Sequence, residues 1–163
     1  MKKLILFGII LSIVFTAFCA CKSKESRVPE ETYSNSQTAL NVQYIRIGSG
    51  FGPRQPSCTI ISSVSELAQY TSNFNQMAFW ETEYAGAILK YNDNYFADNF
   101  LVIVLLEENS GSNRHKVESV DRNGDIVIEQ LIPEIGTSDM ATWSIIIELN
   151  NSFKLERYQV VLR

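Results

Sequence analysis

Histidine, cysteine and proline are scarce in this chain, and the usual signatures of catalysis are missing. His115 is the only histidine, with three cysteines and four prolines among 163 residues. One imidazole cannot make a usual zinc site, which takes several His or Cys ligands. No H-E-x-x-H, G-x-S-x-G or C-x-x-C occurs, which leaves no metalloprotease, nucleophile-elbow or dithiol redox motif to build on. Basic residues are outnumbered, 14 Lys and Arg against 18 Asp and Glu. That balance argues against a nucleic-acid partner, which needs clustered cations, and against a polybasic lipid-binding surface. The run Gly48-Ser49-Gly50-Phe51-Gly52-Pro53 has no Lys-Ser or Lys-Thr behind it, so it reads as a flexible turn rather than a phosphate loop. The residues make no case for an enzyme or a cofactor.

One long apolar run is present, and it lies at the start. Lys2 and Lys3 precede an apolar stretch from Leu4 to Phe18, then Cys19-Ala20-Cys21 and the polar residues Lys22-Ser23-Lys24-Glu25. A membrane-spanning helix needs about 20 apolar residues, and this run is shorter. A basic segment, a short apolar segment and a small residue before a cysteine resemble a bacterial lipoprotein signal peptide. The resemblance implies cleavage after Ala20 and lipidation of Cys21, with the protein facing the extracytoplasmic side of the cell membrane. Phe18 departs from the small or aliphatic residue such signals carry at that place. An ordinary secretory signal and an uncleaved anchor are the rival readings. Cleavage would remove Lys2 and Lys3, taking the basic count to 12 against 18 acidic residues and the formal charge to −6. It would also leave Cys58 without a partner, which excludes a disulfide framework. Cys58 then reads as a small buried apolar residue.

Residues 21–38 are polar, with Pro29, Glu30, Glu31, Ser34, Asn35 and Ser36. Such a stretch buries too little surface to fold and reads as a tether. Residues 39–163 are long enough for one core. Alternation predicts a strand from Leu40 to Ile47 and a short one over Cys58 to Ile61. Ser63-Val64-Ser65-Glu66 matches a capping box and opens an amphipathic helix to about Asn73, with Val64, Leu67, Ala68 and Thr71 on one face and Tyr70 and Phe74 close by. Asn92 to Ala97 reads as a short helical turn. Phe100 to Leu106 is apolar on both faces, the mark of a strand covered on both sides. His115–Val120 and Ile126–Ile132 form a hairpin about Asn123-Gly124. Trp143–Asn150 and Tyr158–Leu162 close the chain as strands. Short connections favour antiparallel pairing. The expected fold class is α+β: a predominantly antiparallel curved sheet, sandwich or half-barrel, with one short amphipathic helix.

Candidate sites are few. Asp121-Arg122-Asn123-Gly124-Asp125 has a faint likeness to a calcium loop, but its glycine comes at the fourth position rather than the sixth, which favours a plain hairpin. His115, between Arg114 and Lys116, reads as a strand surface residue, and Glu107 and Glu108 as a solvated strand end. Two polar loops adjoin strong strands: Ser110-Gly111-Ser112-Asn113-Arg114 and Gly136-Thr137-Ser138-Asp139. Should the register join them, Arg114 would face Asp139 and Trp143 would pack beside them. Ser110, Ser112, Arg114, Asp139 and Trp143 are therefore the candidate partner-binding residues, against the plainer reading of two ordinary turns.

The same segments carry a second resemblance. The order Tyr91, Phe96, Phe100-Leu101-Val102-Ile103-Val104, Ser110-Gly111-Ser112, Val117-Glu118-Ser119-Val120 and Gly136-Thr137-Ser138-Asp139-Met140-Ala141 resembles the C-terminal domain of PrcB-type proteins. That family is named for a lipoprotein subunit of a surface protease complex. Ser110-Gly111-Ser112-Asn113-Arg114 stands where many such sequences have a glycine-rich turn leading to an aromatic. The resemblance supplies no catalytic residue. It implies a lipid-anchored, non-enzymatic protein that binds or stabilises another exported protein, a protease in the family's case. The alternative is a solute- or glycan-binding lipoprotein, which would expose Trp80, Tyr84 or Trp143. A third reading, a surface hydrolase of another type, would rest on His115.

Overall fold

The structure, a computed structural model, describes residues 36–37, 41–48, 50, 52–73 and 83–163. The signal segment, Cys21, most of the tether and Trp80 lie outside the described residues. The strands are β1 (Ser36–Gln37), β2 (Asn41–Gly48), β3 (Ser57–Ile61), β4 (Asn99–Glu108), β5 (Arg114–Asp121), β6 (Asp125–Leu131), β7 (Ala141–Asn150) and β8 (Gln159–Leu162). Three short helices, α1 (Val64–Ser72), α2 (Glu83–Ile88) and α3 (Asp93–Asp98), fall between β3 and β4. The strands form two sheets, ordered β2-β7-β4-β3 and β1-β5-β6-β8. Ser36 and Gln37 pair with Asp121 and Val120, so strand pairing begins inside the stretch the composition assigns to the tether.

The sheet β2-β7-β4-β3 is covered on both faces, which is why β4 and β7 are apolar at nearly every position. Register sets Phe100 against Leu149, Val102 against Ile147, Val104 against Ile145 and Leu106 against Trp143. Paired residues share a face, and this face packs against Val120, Ile126 and Ile128 of the other sheet. The opposite face carries Leu101, Ile103 and Ile146, which pack with Leu67, Tyr70, Tyr84 and Tyr91 of the helical segment. Helices, sheet and sheet thus enclose two apolar clusters.

Local signals place several elements. Ser63 Oγ accepts from Glu66 N at 3.1 Å and caps α1. The Glu66 carboxylate reaches back one residue further than a standard capping box, to Ser62 N at 2.6 Å. The buried face of α1 is Leu67, Tyr70 and Thr71, while Val64 and Ala68 are exposed. Leu67 and Thr71 keep their expected place and Tyr70 beside them turns inward too, whereas Val64 and Ala68 of the expected face do not. Asn92 caps α3 through Tyr95 N at 3.1 Å. The β5–β6 turn closes with Gly124 N donating to Asp121 O at 3.1 Å, and Gly124 has φ 91°. A three-residue loop ending in a left-handed glycine fits that geometry.

Two features depart from regular antiparallel pairing within the predominantly antiparallel sheets. β8 runs parallel to β6, with Ile126 opposite Val160 and Ile128 opposite Leu162. The chain makes the return leg that a parallel pair requires through β7 of the other sheet. β5 also carries an irregularity between Val117 and Ser119. The extra residue shifts the alternation, so His115 and then Val120 both turn inward.

Candidate functional site

The structure brings the two polar loops together. Ser110 and Ser112 hydroxyls lie 2.8 Å apart, and both accept from Thr137 N, at 3.0 and 3.1 Å. Gly111 N donates to Asp139 O at 2.7 Å. Asp139 is held in turn by Arg46 of β2, whose Nη2 lies 2.5 Å from Oδ2. A hydrogen bond from Thr137 and then the Arg46 guanidinium bring the Asp139 carboxyl down to about 2. A Cβ at Gly111 would sit 2.5 Å from Asp139 Oδ2 and 2.7 Å from Arg46 Nη2, so the ends of those two half-exposed side chains would have to move aside.

Arg46, rather than Arg114, is therefore the partner of Asp139. Arg114 turns back on its own loop, where Nη1 donates to Gly111 O and Asn113 O, each at 2.9 Å. Its guanidinium carbon lies 5.3 Å from the Trp143 ring centre. Arg114 and Trp143 do meet, as anticipated, but as a cation over an aromatic face.

These bonds fasten the base of the β6–β7 connection. Every residue from Leu131 to Met140 is exposed. Four of them are large and apolar: Leu131, Ile132, Ile135 and Met140, with Ile135 at 89 % exposure. Apolar side chains grouped on a held loop mark an interaction surface more than singly scattered ones do. Beside the loop lies an open cleft of about 470 Å³, lined by Ser112, Arg114, Gln130, Leu131, Ile132 and Pro133.

Beneath the rim is a buried carboxylate. Glu108 has the same strand parity as Val104 and Leu106, so it points into the layer between the sheets. Its Oε1 accepts from His115 Nε2 at 2.7 Å and from Gln130 Nε2 at 2.7 Å, and its Oε2 from Asn113 Nδ2 at 2.9 Å. Burial pushes the Glu108 carboxyl upward, but the bonds from His115, Asn113 and Gln130 together outweigh it and hold the carboxyl below its ordinary range. The His115 side chain is fully buried, its Nδ1 has no partner among the described residues, and its ring meets Trp143 edge-on at 5.4 Å. The proton is assigned to Nε2 because that nitrogen faces the carboxylate. His115 as a surface residue and Glu108 as a solvated strand end are thus both corrected. Sheet parity decides each: Glu108 continues the inward row of β4, and His115 stands opposite Gln130 on the inward row of β5. Glu107, on the other face, accepts from Gly52 N at 2.8 Å and Thr142 Oγ1 at 3.3 Å, so it too is a bonded group.

A second carboxylate, Glu148, lies on the helix-facing side of β7. It accepts from Asn41 Nδ2 at 3.0 Å, Lys90 Nζ at 2.6 Å and Tyr91 Oη at 3.0 Å. Gln43 Nε2 donates to Tyr91 Oη at 2.6 Å. This group ties β2, β7 and the segment before α3 together.

The remaining candidates resolve simply. The Asp121 carboxylate accepts from Asn123 N at 2.8 Å and Asp125 N at 2.9 Å, so it closes its own turn. Cys58 is half-buried on β3 rather than fully buried, and burial pushes its thiol up to about 11. Tyr84 and Trp143 are buried and offer no stacking platform at the surface. Residue parity could have disclosed Glu108 and His115, whereas Arg46 and the exposed Leu131, Ile132, Ile135 and Met140 carried no motif. Set against known protein families, curated proteins and solved structures, the chain matches none.

Proposed function

We propose that this chain is a lipid-anchored extracytoplasmic protein, held at the membrane through Cys21, that binds another exported protein with the rim around Leu131–Met140. A PrcB-type accessory role, with a protease as partner, is the version that the sequence resemblance favours. We read the two sheets as a sandwich, whose one end carries this rim. The observation that supports binding is the loop itself. Four large apolar side chains stand exposed on ten consecutive exposed residues, and hydrogen bonds from Thr137 N to the Ser110 and Ser112 hydroxyls and from Gly111 N to Asp139 O keep its base in place. A pre-held loop loses less conformational entropy on binding than a free one.

The geometry gives little support to the rival readings. A hydrolase using His115 would need an accessible imidazole, and that side chain is fully buried with Nε2 committed to Glu108. A glycan site would need exposed aromatic faces, and of the three aromatics expected to supply one, Tyr84 and Trp143 are buried and Trp80 lies outside the described residues.

Photocrosslinking tests the proposal. A photoreactive residue at Ile135 of the full-length, membrane-bound protein should form a discrete adduct with one exported protein. The same residue at Asp125, on the far hairpin, should not. Failure of Ile132, Ile135 and Met140 to yield any protein adduct would sink the binding role. Palmitate labelling that is unchanged by Cys21→Ala would sink the anchor and leave the binding role standing.

A further inference from the structure

We propose that Arg114 is a preorganised receptor for a carboxylate side chain of the partner, and that Glu108, His115 and Trp143 act as its positioning residues. This rests on the binding role of the rim and names the chemistry that the rim selects. Guanidinium groups carry five N–H donors. The Nη1 nitrogen of Arg114 is committed to Gly111 O and Asn113 O. Its Nη2 and Nε make no hydrogen bond among the described residues, and that edge of the fork matches a carboxylate in two parallel hydrogen bonds. Arg46, Lys90 and Lys116 each have a carboxylate partner. Arg114 has none among the described residues.

The side chain is also held still, which is unusual for an exposed arginine. Trp143 supports its face at 5.3 Å. Trp143 is fixed by the edge of His115, and His115 by Glu108. A second route runs through Asn113: its carbonyl holds Arg114 while its side-chain amide donates to Glu108. Glu108 therefore sets the position of the guanidinium from two sides. Rotamer entropy that a free arginine loses on binding is here lost on folding.

The cleft beside it states what accompanies the carboxylate. Arg114 and Ser112 form its polar side; Leu131, Ile132 and Pro133 form its apolar side. An acidic residue flanked by apolar ones fits both. An anionic bilayer fits poorly, because Glu129, Glu134 and Asp139 lie on the same strand and loop and the chain is acidic overall. Membranes recruit such surfaces through several cations, not one.

The test uses the full-length protein in neutral detergent micelles and two acetylated, amidated tripeptides, Leu-Glu-Leu and Leu-Gln-Leu, titrated calorimetrically. Wild type should bind the Glu peptide about tenfold more tightly than the Gln peptide at low salt, the gain of a charge-assisted pair over a neutral one. That preference should fall to about one in Arg114→Gln. It should be largely lost in Arg114→Lys, which keeps the charge but not the fork. Glu108→Gln should lower the preference while leaving the affinity for the Gln peptide unchanged; a merely structural role would weaken both peptides alike. Equal binding of the two peptides by wild type overturns the inference. So does a preference that survives Arg114→Gln, or Arg114-dependent binding to phosphatidylglycerol vesicles without a peptide preference. In any of those cases, a partner adduct at Ile135 that persists in Arg114→Gln would leave the broader binding role intact.

Discussion

Replacing Glu108 by alanine is predicted to be among the most damaging single polar substitutions in the chain. The carboxylate receives His115, Gln130 and Asn113. Two of these donors, His115 and Asn113, are buried and would find neither protein nor bulk water in its place. Gln130 is partly exposed and can turn to solvent. Removing one member of a buried charged network costs about 3–5 kcal/mol, because the groups left behind keep their desolvation cost. Against a typical total of about 5–15 kcal/mol, that is a large fraction. Glu108→Gln should cost less, about 1–2 kcal/mol. One carbonyl oxygen remains for His115 and Gln130, Asn113 can reverse its amide to accept, and the bonds weaken from charged to neutral. The double variant Glu108→Leu with His115→Leu should be milder than Glu108→Ala, since it leaves no orphaned imidazole. Urea unfolding of the full chain near neutral pH reads all three. The reasoning fails if Glu108→Ala costs under about 1 kcal/mol, or if the Gln and Ala variants are equally destabilised. Acid adds a check of sign. Folding lowers the Glu108 carboxyl below its unfolded value, so its contribution is present above the ordinary carboxylate range. It is lost as the pH falls through the folded value. The wild-type advantage over Glu108→Gln should therefore shrink from about pH 5 downward.

Other outcomes follow from the same geometry. Gly111→Ala should push the ends of Asp139 and Arg46 apart, costing no more than about 1 kcal/mol, the worth of an exposed ion pair, and amide exchange should lose its protection at Gly111 first. Leu106→Ala, in a side chain 1 % exposed between the sheets, should cost about 2–5 kcal/mol in urea. Ile135→Ser should stay within about 0.5 kcal/mol of wild type in the same assay while reducing partner adducts at Ile132. Cys58, with its thiol raised to about 11, should react with iodoacetamide at mildly alkaline pH about a hundredfold more slowly than a free cysteine; peptide mass spectrometry would follow it. A rate equal to that of a free thiol would show that the β3 edge opens readily.

Much of the secondary structure was legible because its causes are local. Ser63 and Asn92 announce helix starts by accepting from N–H groups three residues on. Gly124 ends its turn because it takes a positive φ. The candidate loops were legible as loops, but whether they meet depended on strand register, and only the structure joins them through Ser110, Ser112 and Thr137. The pairing of charges did not follow. Arg114 and Arg46 were both available to Asp139, and the choice depends on where β2 lies beside β7. Charge composition near the loop carries no information about that.

By itself the sequence determined that Phe100–Leu106 must be buried on both faces, because a long unbroken apolar strand has no stable exposed arrangement; Trp143–Leu149 read only as an alternating strand, and burial of its second face was decided by the helical segment packed on it. It also determined where the chain turns and where helices begin, since those choices rest on residues a few positions apart. Tertiary structure alone decided the rest. The irregularity at Val117–Ser119 restores an inward Val120 after an inward His115. The route through β7 turns β8 parallel to β6. Stacking of the two sheets converts Glu108 and His115 from apparent surface residues into a buried pair beneath Trp143 and Arg114. Each of these depends on register between strands distant in the chain, and a one-residue change of register sends a side chain to the opposite face.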